Sequence, residues 1–343
     1  MNWIQRNTFH HNEFSNLEEL VEIKNQKNLK ISLAFPALNE EATIGRAIEI
    51  IKTELYDRYP LLDEMVVIDS GSIDRTCEIS RQAGARVWQS AEILPELGYY
   101  QGKGENLWKS LYVLDGDLLI WLDADIKNID PKFVYGLVGP LLKFEHLLFV
   151  KAFYQRPLQI PGEEHEYGGG RVTEILVRPL LSLFFPELAR FYQPCSGECA
   201  GRRELFESLP FACGYGIETG MLIDIYNRFG REVMGQTDLN LRIHRNQPAS
   251  ALGKMGFEIL HAFLKRVEDL RLIDLAEALN RTYQKLEMGP DLYTLREEKV
   301  QIHERPPMLE IPEYRMKHRK YEMGEIGAGA TGRSALPVDE NLI

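Results

Sequence analysis

The chain has 343 residues, with 51 acids against 40 bases and a formal charge of −11. Hydrophobic residues make up 44% and charged residues 27%, the composition of a folded protein of about two domains. This excludes a wholly disordered chain, a collagen and a small disulfide scaffold, and the acidic balance argues against a nucleic-acid coat. An anion could bind only at a local cluster of cations and bare amides. Cys77, Cys195, Cys199 and Cys213 form no C-x-x-C pair, so reduced thiols are expected in place of a zinc site. No signal-peptide core stands at the start. Apolar runs such as Leu118–Leu122 and Leu180–Phe185 fall short of the ~18 residues of a membrane span. A soluble cytoplasmic protein is expected, with no nucleic acid and no membrane among its partners.

Asn16–Lys27 reads as an amphipathic helix, with Leu17, Leu20, Val21 and Ile23 on one broad apolar side. Lys30–Phe35 reads as a strand ending at Pro36, and Glu40–Leu55 as a helix through Ile44, Ala47, Ile48 and Ile51. Glu64–Asp69 is nearly all apolar, like strands buried on both faces of a parallel sheet. Asp74–Ala83 follows as a helix, Ala85–Trp88 as a strand and Asn106–Leu114 as a helix. Leu118–Leu122 is a strand running into Asp123-Ala124-Asp125; Pro131–Phe144 is a helix and His146–Phe153 a strand. This alternation predicts an open α/β sheet, which binds ligands at the carboxyl ends of its strands. Polar turns stand at three such ends: Pro36–Glu41, Asp69–Asp74 and Asp123–Asp125.

The second half is less regular. Helices are expected over Arg171–Phe185, Glu204–Ser208 and Ile217–Phe229, and a strand over Glu232–Thr237. Gly253–Met288 reads as a long helical stretch, with Phe257, Leu260, Phe263, Leu264 and Val267 at helical spacing. The last ~45 residues, rich in Pro, Gly and charge, read as a wrapping arm or a disordered tail.

Asp123 and Asp125, at i and i+2 after a strand, point the same way and suit Mg²⁺ or Mn²⁺ with phosphate as co-ligand; a plain turn with a helix cap is the bland alternative. Pro36–Glu41 and Asp69–Ser72 could hold a nucleoside or simply cap helices. Gly168–Gly170 before Arg171 and Thr173 offers bare amides and a guanidinium to an anion, against a flexible surface loop. On an extended Arg242–Asn246 segment, Arg242, His244 and Asn246 share a side; His244 could complete a metal shell or be a satisfied polar histidine. Gly327–Gly332 matches G-x-G-x-x-G but follows no strand and opens no helix, so it is rejected as a dinucleotide site.

PALNEEATIG, VVIDSGSIDRT, GKGENLWKSL, WLDADI, GGGRVTEILVRPLL, GYGIETGMLID and IHRNQP occur in an order that resembles the glucosyl-3-phosphoglycerate synthases. These are retaining GT-A glycosyltransferases close to mannosyl-3-phosphoglycerate synthases. The likeness covers residues 30 to 265; Cys195–Gly201 and the length after Asp291 depart from the pattern. It implies a Rossmann-like nucleotide-sugar-binding sheet with a C-terminal helical extension. It also implies transfer of glucose from UDP-glucose, or another NDP-glucose, to the 2-hydroxyl of 3-phosphoglycerate. Pro36, Ala37, Leu38, Glu40, Ser70, Lys103 and Asp123 would hold the donor. Asp125 and His244 would hold Mg²⁺ or Mn²⁺. Gly170, Arg171, Thr173 and Asn246 would hold the acceptor, and Glu218, with Asp123 and Lys103, would lie at the reacting carbon.

On this reading residues 1–29 are an N-terminal helix and 30–250 the catalytic domain, its nucleotide-sugar half at about 30–150 and its acceptor half at about 151–250. Residues 251–290 are a helical dimerisation segment and 291–343 an arm or tail, in a homodimer. The rivals are a GDP-mannose enzyme, a lipid-phosphate glycosyltransferase and a nucleotide-sugar sensor that does no chemistry. The spatial expectation is that Asp125 and Arg171 face one cleft.

Overall fold

Apolar strands and amphipathic helices do alternate through the first 155 residues. The computed structural model describes residues 2–160, 163–165, 170–243, 249–288 and 293–325. α1 (Trp3–Asn7) leads into β1 (Thr8–His10), α2 (Leu17–Gln26), β2 (Ile31–Ala37), α3 (Ile44–Lys52), β3 (Glu64–Asp69), α4 (Thr76–Gln82) and β4 (Arg86–Gln89). Then come α5 (Lys103–Val113), β5 (Leu118–Trp121), α6 (Lys132–Lys143), β6 (Phe149–Gln155) and a short hairpin, β7 (Leu158–Ile160) with β8 (Glu163–His165). α7 (Arg178–Phe184), β9 (Cys199–Arg202), α8 (Arg203–Glu207), β10 (Phe211–Ala212), α9 (Ile217–Phe229) and β11 (Met234–Leu241) follow. The remainder comprises α10 (Ala249–Asp269), β12 (Thr282–Met288), β13 (Tyr293–Lys299), β14 (Glu304–Arg305) and α11 (Pro312–Glu325).

Among the described residues one eight-stranded sheet runs in the order β1-β11-β6-β9-β5-β2-β3-β4. Neighbours pair in parallel except β9, which is antiparallel to both β5 and β6. Ile31, Leu33 and Phe35 of β2, and Val66 and Val67 of β3, are fully buried, as strands covered on both faces must be. α3 buries Ile44, Ala47, Ile48 and Ile51, a stripe at i, i+3, i+4 and i+7. This is the open α/β sheet that the strand–helix alternation predicts, with one strand reversed.

Two expectations need correcting. The helical stretch expected over Gly253–Met288 stops at Asp269. Arg271 adopts a left-handed φ of 56°, and the Leu272 N–H returns to the Val267 carbonyl at 2.9 Å, a C-terminal turn usually marked by glycine. Beyond it, Thr282–Met288 is the first arm of an antiparallel hairpin with Tyr293–Lys299. The chain from 299 to 325 is also not a disordered tail. β14 pairs with β10, and α11 is a 14-residue helix. Met1–Met308 form one unit and the residues from Leu309 another, in which the tilted rings of Tyr314 and His318 of α11 lie with centres 4.2 Å apart. Gly327–Gly332 lie outside the described residues.

Candidate active site

Parallel strands end together, so the residues just past β2, β3 and β5 share one rim. Pro36 and Ala37 close β2 and Leu38 follows; Ser70 follows β3; Asp123, Ala124 and Asp125 follow β5. Because β9 runs the other way, its start lies at this same rim, which brings in Gly197 and Glu198. The rim turns are tied internally. Asp69 is fully buried and accepts the N–H groups of Gly71 and Ser72 at 2.9 and 2.8 Å. Asn106 donates to the Ile68 carbonyl at 2.9 Å and to Ser70 Oγ at 2.7 Å. Asn39 has a φ of 57° and accepts the Ile73 N–H at 2.9 Å, while the Glu40 N–H donates to Thr76 Oγ1 at 2.8 Å.

Below the rim, Lys103 begins α5 and Glu218 sits in the first turn of α9. Lys103 Nζ contacts Asp123 and lies 3.1 Å from Glu218. Arg242, one residue past β11, donates to Asp123 at 2.8 Å and Asp125 at 3.0 Å, and its Nε lies 2.9 Å from Glu198. Glu198 is fully buried and also accepts the Tyr154 hydroxyl, which in turn takes a 2.7 Å hydrogen bond from Arg156. Burial alone would lower the Lys103 ammonium, but the carboxylates of Asp123, Glu218 and Glu198 outweigh it and raise its pKa. Burial would raise Asp123, yet Lys103 and Arg242 hold it well below the usual carboxylate range. Asp125 goes the other way: burial pushes it up, Arg242 only partly opposes this, and Asp123 and Glu198 push it further.

Opposite the rim, Gly170 takes a φ of 83° and presents Arg171 and Thr173; α10 contributes Met255 and Glu258. These walls enclose one cleft of about 670 Å³. Pro36, Ala37, Leu38, Glu40, Ser70, Lys103, Asp123, Asp125, Gly170, Arg171, Thr173 and Glu218 all line it, so Asp125 and Arg171 do face a common space. His244 and Asn246, with Gly168 and Gly169, lie outside the described residues. Sequence reasoning missed Glu198, Tyr154, Arg156 and Gly197, and included Arg242 only as part of a donor cluster. Glu198 and Gly197 fall in Cys195–Gly201, the segment that departs from the resemblance.

A divalent cation fits the donor set. Among the described residues no three His, Cys, Asp or Glu side chains form a metal cage. Asp125 nevertheless turns a hard carboxylate into a cleft where four carboxylates meet two cations, Lys103 and Arg242.

The sequence model for glycosyl transferase family 2 matches residues 32–209. A glucosyl-3-phosphoglycerate synthase of Petrotoga mobilis is 53% identical over 319 residues, 93% of this chain and 98% of its own. The chain belongs to the glucosyl-3-phosphoglycerate synthase family. Solved structures agree. The Mycobacterium tuberculosis glucosyl-3-phosphoglycerate synthase, in complex with Mn²⁺, UDP and phosphoglyceric acid, matches with a TM-score of 0.78 at 40% identity, covering 88% of this chain and 98% of that one. The mannosyl-3-phosphoglycerate synthase of Rubrobacter xylanophilus matches with a TM-score of 0.84 at 35% identity, covering 90% of this chain and 98% of that one. The fold is therefore that of a GT-A glycosyltransferase, and the chain is an enzyme of that class.

Proposed function

We propose that this chain moves glucose from UDP-glucose to the 2-hydroxyl of 3-phosphoglycerate with retention at the sugar carbon. The observation that carries this reading is the single cleft in which Asp125, Lys103, Glu218 and Arg171 converge, in a chain whose 53%-identical relative bears that name. Residues 30–250 are the catalytic domain on this reading, divided near residue 150 into donor and acceptor halves. Pro36, Ala37, Leu38, Glu40 and Ser70 hold the uridine side of the donor. Arg171, with the Gly170 and Thr173 backbone, meets the acceptor phosphate and carboxylate; a guanidinium fork suits both anions. His244 and Asn246 complete the metal and acceptor shells respectively.

Asp125 and His244 would hold Mg²⁺ or Mn²⁺, which supplies Lewis-acid neutralisation of charge on the departing diphosphate. Lys103 adds a fixed positive charge beside the same oxygens, raised in pKa and so kept protonated. Glu218 contacts the sugar hydroxyls. Its 3.1 Å ion pair with Lys103 blunts it as a nucleophile, which supports front-face attack, with the departing phosphate oxygen taking the acceptor proton. Isolation of a glycosyl-Glu218 adduct would overturn that step.

A second reading, a mannosyl transferase using GDP-mannose, draws on the TM-score of 0.84 with the Rubrobacter enzyme. Turnover of UDP-glucose, ADP-glucose, GDP-glucose and GDP-mannose with 3-phosphoglycerate, with and without EDTA, separates the two. UDP-glucose should lead, and EDTA should abolish turnover. The absence of any UDP release that depends on 3-phosphoglycerate would sink the transferase reading in favour of a sensor.

We also propose a cytoplasmic homodimer. No described helix is long and apolar enough to cross a membrane, and all four cysteines are free. Ile175 and Leu183 stand 78% and 76% exposed on one helical segment, and Leu286 faces Leu295 across the β12–β13 hairpin, both exposed. A second copy covering these surfaces accounts for them. Light scattering at micromolar concentration should give twice the chain mass; a single-chain mass would refute this.

A further inference from the structure

The carboxyl-terminal strap, residues 300–308, lies outside every motif that marks the cleft, yet its Arg305 is 6% exposed. Its guanidinium forks onto Glu105, with Nε to Oε2 at 2.8 Å and Nη2 to Oε1 at 2.7 Å. The remaining N–H groups donate to the Leu97 and Gly98 carbonyls at 2.9 and 3.0 Å. The guanidinium carbon lies 4.3 Å from the centre of the Tyr100 ring and 5.0 Å from that of Trp108. Glu105 is fully buried and stands two residues from Lys103 on α5. The flanking strap residues fasten the same region. The Trp108 indole N–H donates to the Pro306 carbonyl at 2.8 Å, and the Cys213 N–H to the His303 carbonyl at 2.9 Å.

The start of α5 has no slack. Its Glu105 N–H donates to the Cys213 carbonyl at 3.1 Å, and a Cβ on Gly102 or Gly104 would overlap the backbone at Ala212–Cys213. The strap also reaches the second helix of the site. Glu304 lies 2.5 Å from Arg266, which bonds Asp224 of α9 at 2.8 Å, and α9 carries Glu218. Adjacent strap residues thus grip both helices whose first turns bring Lys103 and Glu218 within 3.1 Å.

We infer that Arg305 is a positioning residue: through Glu105 it fixes the first turn of α5, so that Lys103 meets the diphosphate of the donor. Lysine cannot replace it, because one ammonium cannot satisfy both carboxylate oxygens and two carbonyls in a plane while packing on two rings. The inference rests on the donor-binding role given to Lys103 above.

UDP affinity, measured by calorimetry with Mn²⁺ on the full chain, tests it independently of turnover. R305K and K103M should each weaken UDP about tenfold. The double variant should bind within about twofold of K103M alone, since Arg305 acts through Lys103. Fully multiplicative losses, about a hundredfold in the double variant, would mean a general structural role and overturn the inference, as would R305K binding UDP within twofold of the parent. E105Q, which keeps the shape and one acceptor but sets an amide N–H against the guanidinium at the other, goes through the same cycle and is judged by the same outcomes should R305K fold poorly. Turnover of UDP-glucose by the parent tests the transferase reading separately: a parent that binds UDP but transfers nothing defeats that reading while the affinity cycle still decides the role of Arg305.

Discussion

Along β2, β3 and β5 the cleft residues stand where a parallel sheet stops, and short turn hydrogen bonds hold them, such as Asp69 to the Gly71 and Ser72 amides. A second set of contacts, from Glu198 and Arg242 to Glu304 and Arg305, is made of ions paired over long sequence separations, with Arg305 and Glu105 200 residues apart. The rim owes its geometry to backbone regularity and local polar contacts, each worth about 1 kcal/mol net. The charged side owes it to pairs that are costly to desolvate and costlier to break. Tolerance to substitution should therefore differ sharply across one cleft.

The largest contrast is expected at Glu198. Removing it leaves the buried Tyr154 hydroxyl without its acceptor and takes from Arg242 one of its three carboxylates, so E198A should cost roughly 3 kcal/mol of stability by urea denaturation. Ser70→Ala on the rim, which removes one acceptor for Asn106, should cost only about 1 kcal/mol. Equal losses in the two variants would mean that the two sets of contacts are equally tolerant.

Next is Asp125, where both sides meet. Asp125→Asn keeps the shape and an acceptor for Arg242 but removes the one carboxylate assigned to the metal, so turnover should fall roughly a hundredfold. Mn²⁺ titrated into the nucleotide-free variant should give weaker heats than the parent. Unchanged Mn²⁺ affinity would move the metal away from Asp125.

Which parts the letters disclosed follows the same division. β3 and α3 were legible because Met65–Ile68 is an unbroken apolar run and Ile44, Ala47, Ile48 and Ile51 recur at helical spacing, all of them buried. The rim residues were legible because they follow such strands directly. β9 was not: Cys199, Ala200 and Gly201 have weak strand preference, and Gly201 is there because Phe206 and the Leu148 carbonyl leave no room for a Cβ. Pairing with β5 and β6 imposes the strand, and with it the placement of Glu198. The end of α10 was hidden because Arg271, not glycine, takes the left-handed turn. The role of the strap was hidden because an Arg–Glu pair 200 residues apart leaves no local pattern.

Gly197 sharpens the comparison, because it lies between the two sides without charge of its own. A Cβ there would overlap Lys103 Nζ and the Asp123 carboxylate. Gly197→Ala must push that ion pair apart, an overpacking cost of about 1–3 kcal/mol. Turnover should fall roughly tenfold or more, with the acceptor KM nearly unchanged. If the acceptor KM rises instead, Gly197 serves the phosphoglycerate side and the donor assignment of Lys103 weakens.

The smallest effect is expected at Arg171, at the mouth of the acceptor side. It is half-buried, and Gly170 before it uses a φ of 83° to aim the following backbone at the cleft. Arg171→Lys preserves the charge and loses only the planar fork, so the protein should stay folded and the acceptor KM should rise about tenfold, one charge-assisted bond's worth. The donor KM should hold, because Lys103 and Asp125 are untouched. Inorganic phosphate, competing with 3-phosphoglycerate, should inhibit the parent more strongly than the variant if Arg171 reads the phosphate. Equal inhibition of both would assign Arg171 to the carboxylate instead, and the two ends of the acceptor would exchange places in the cleft.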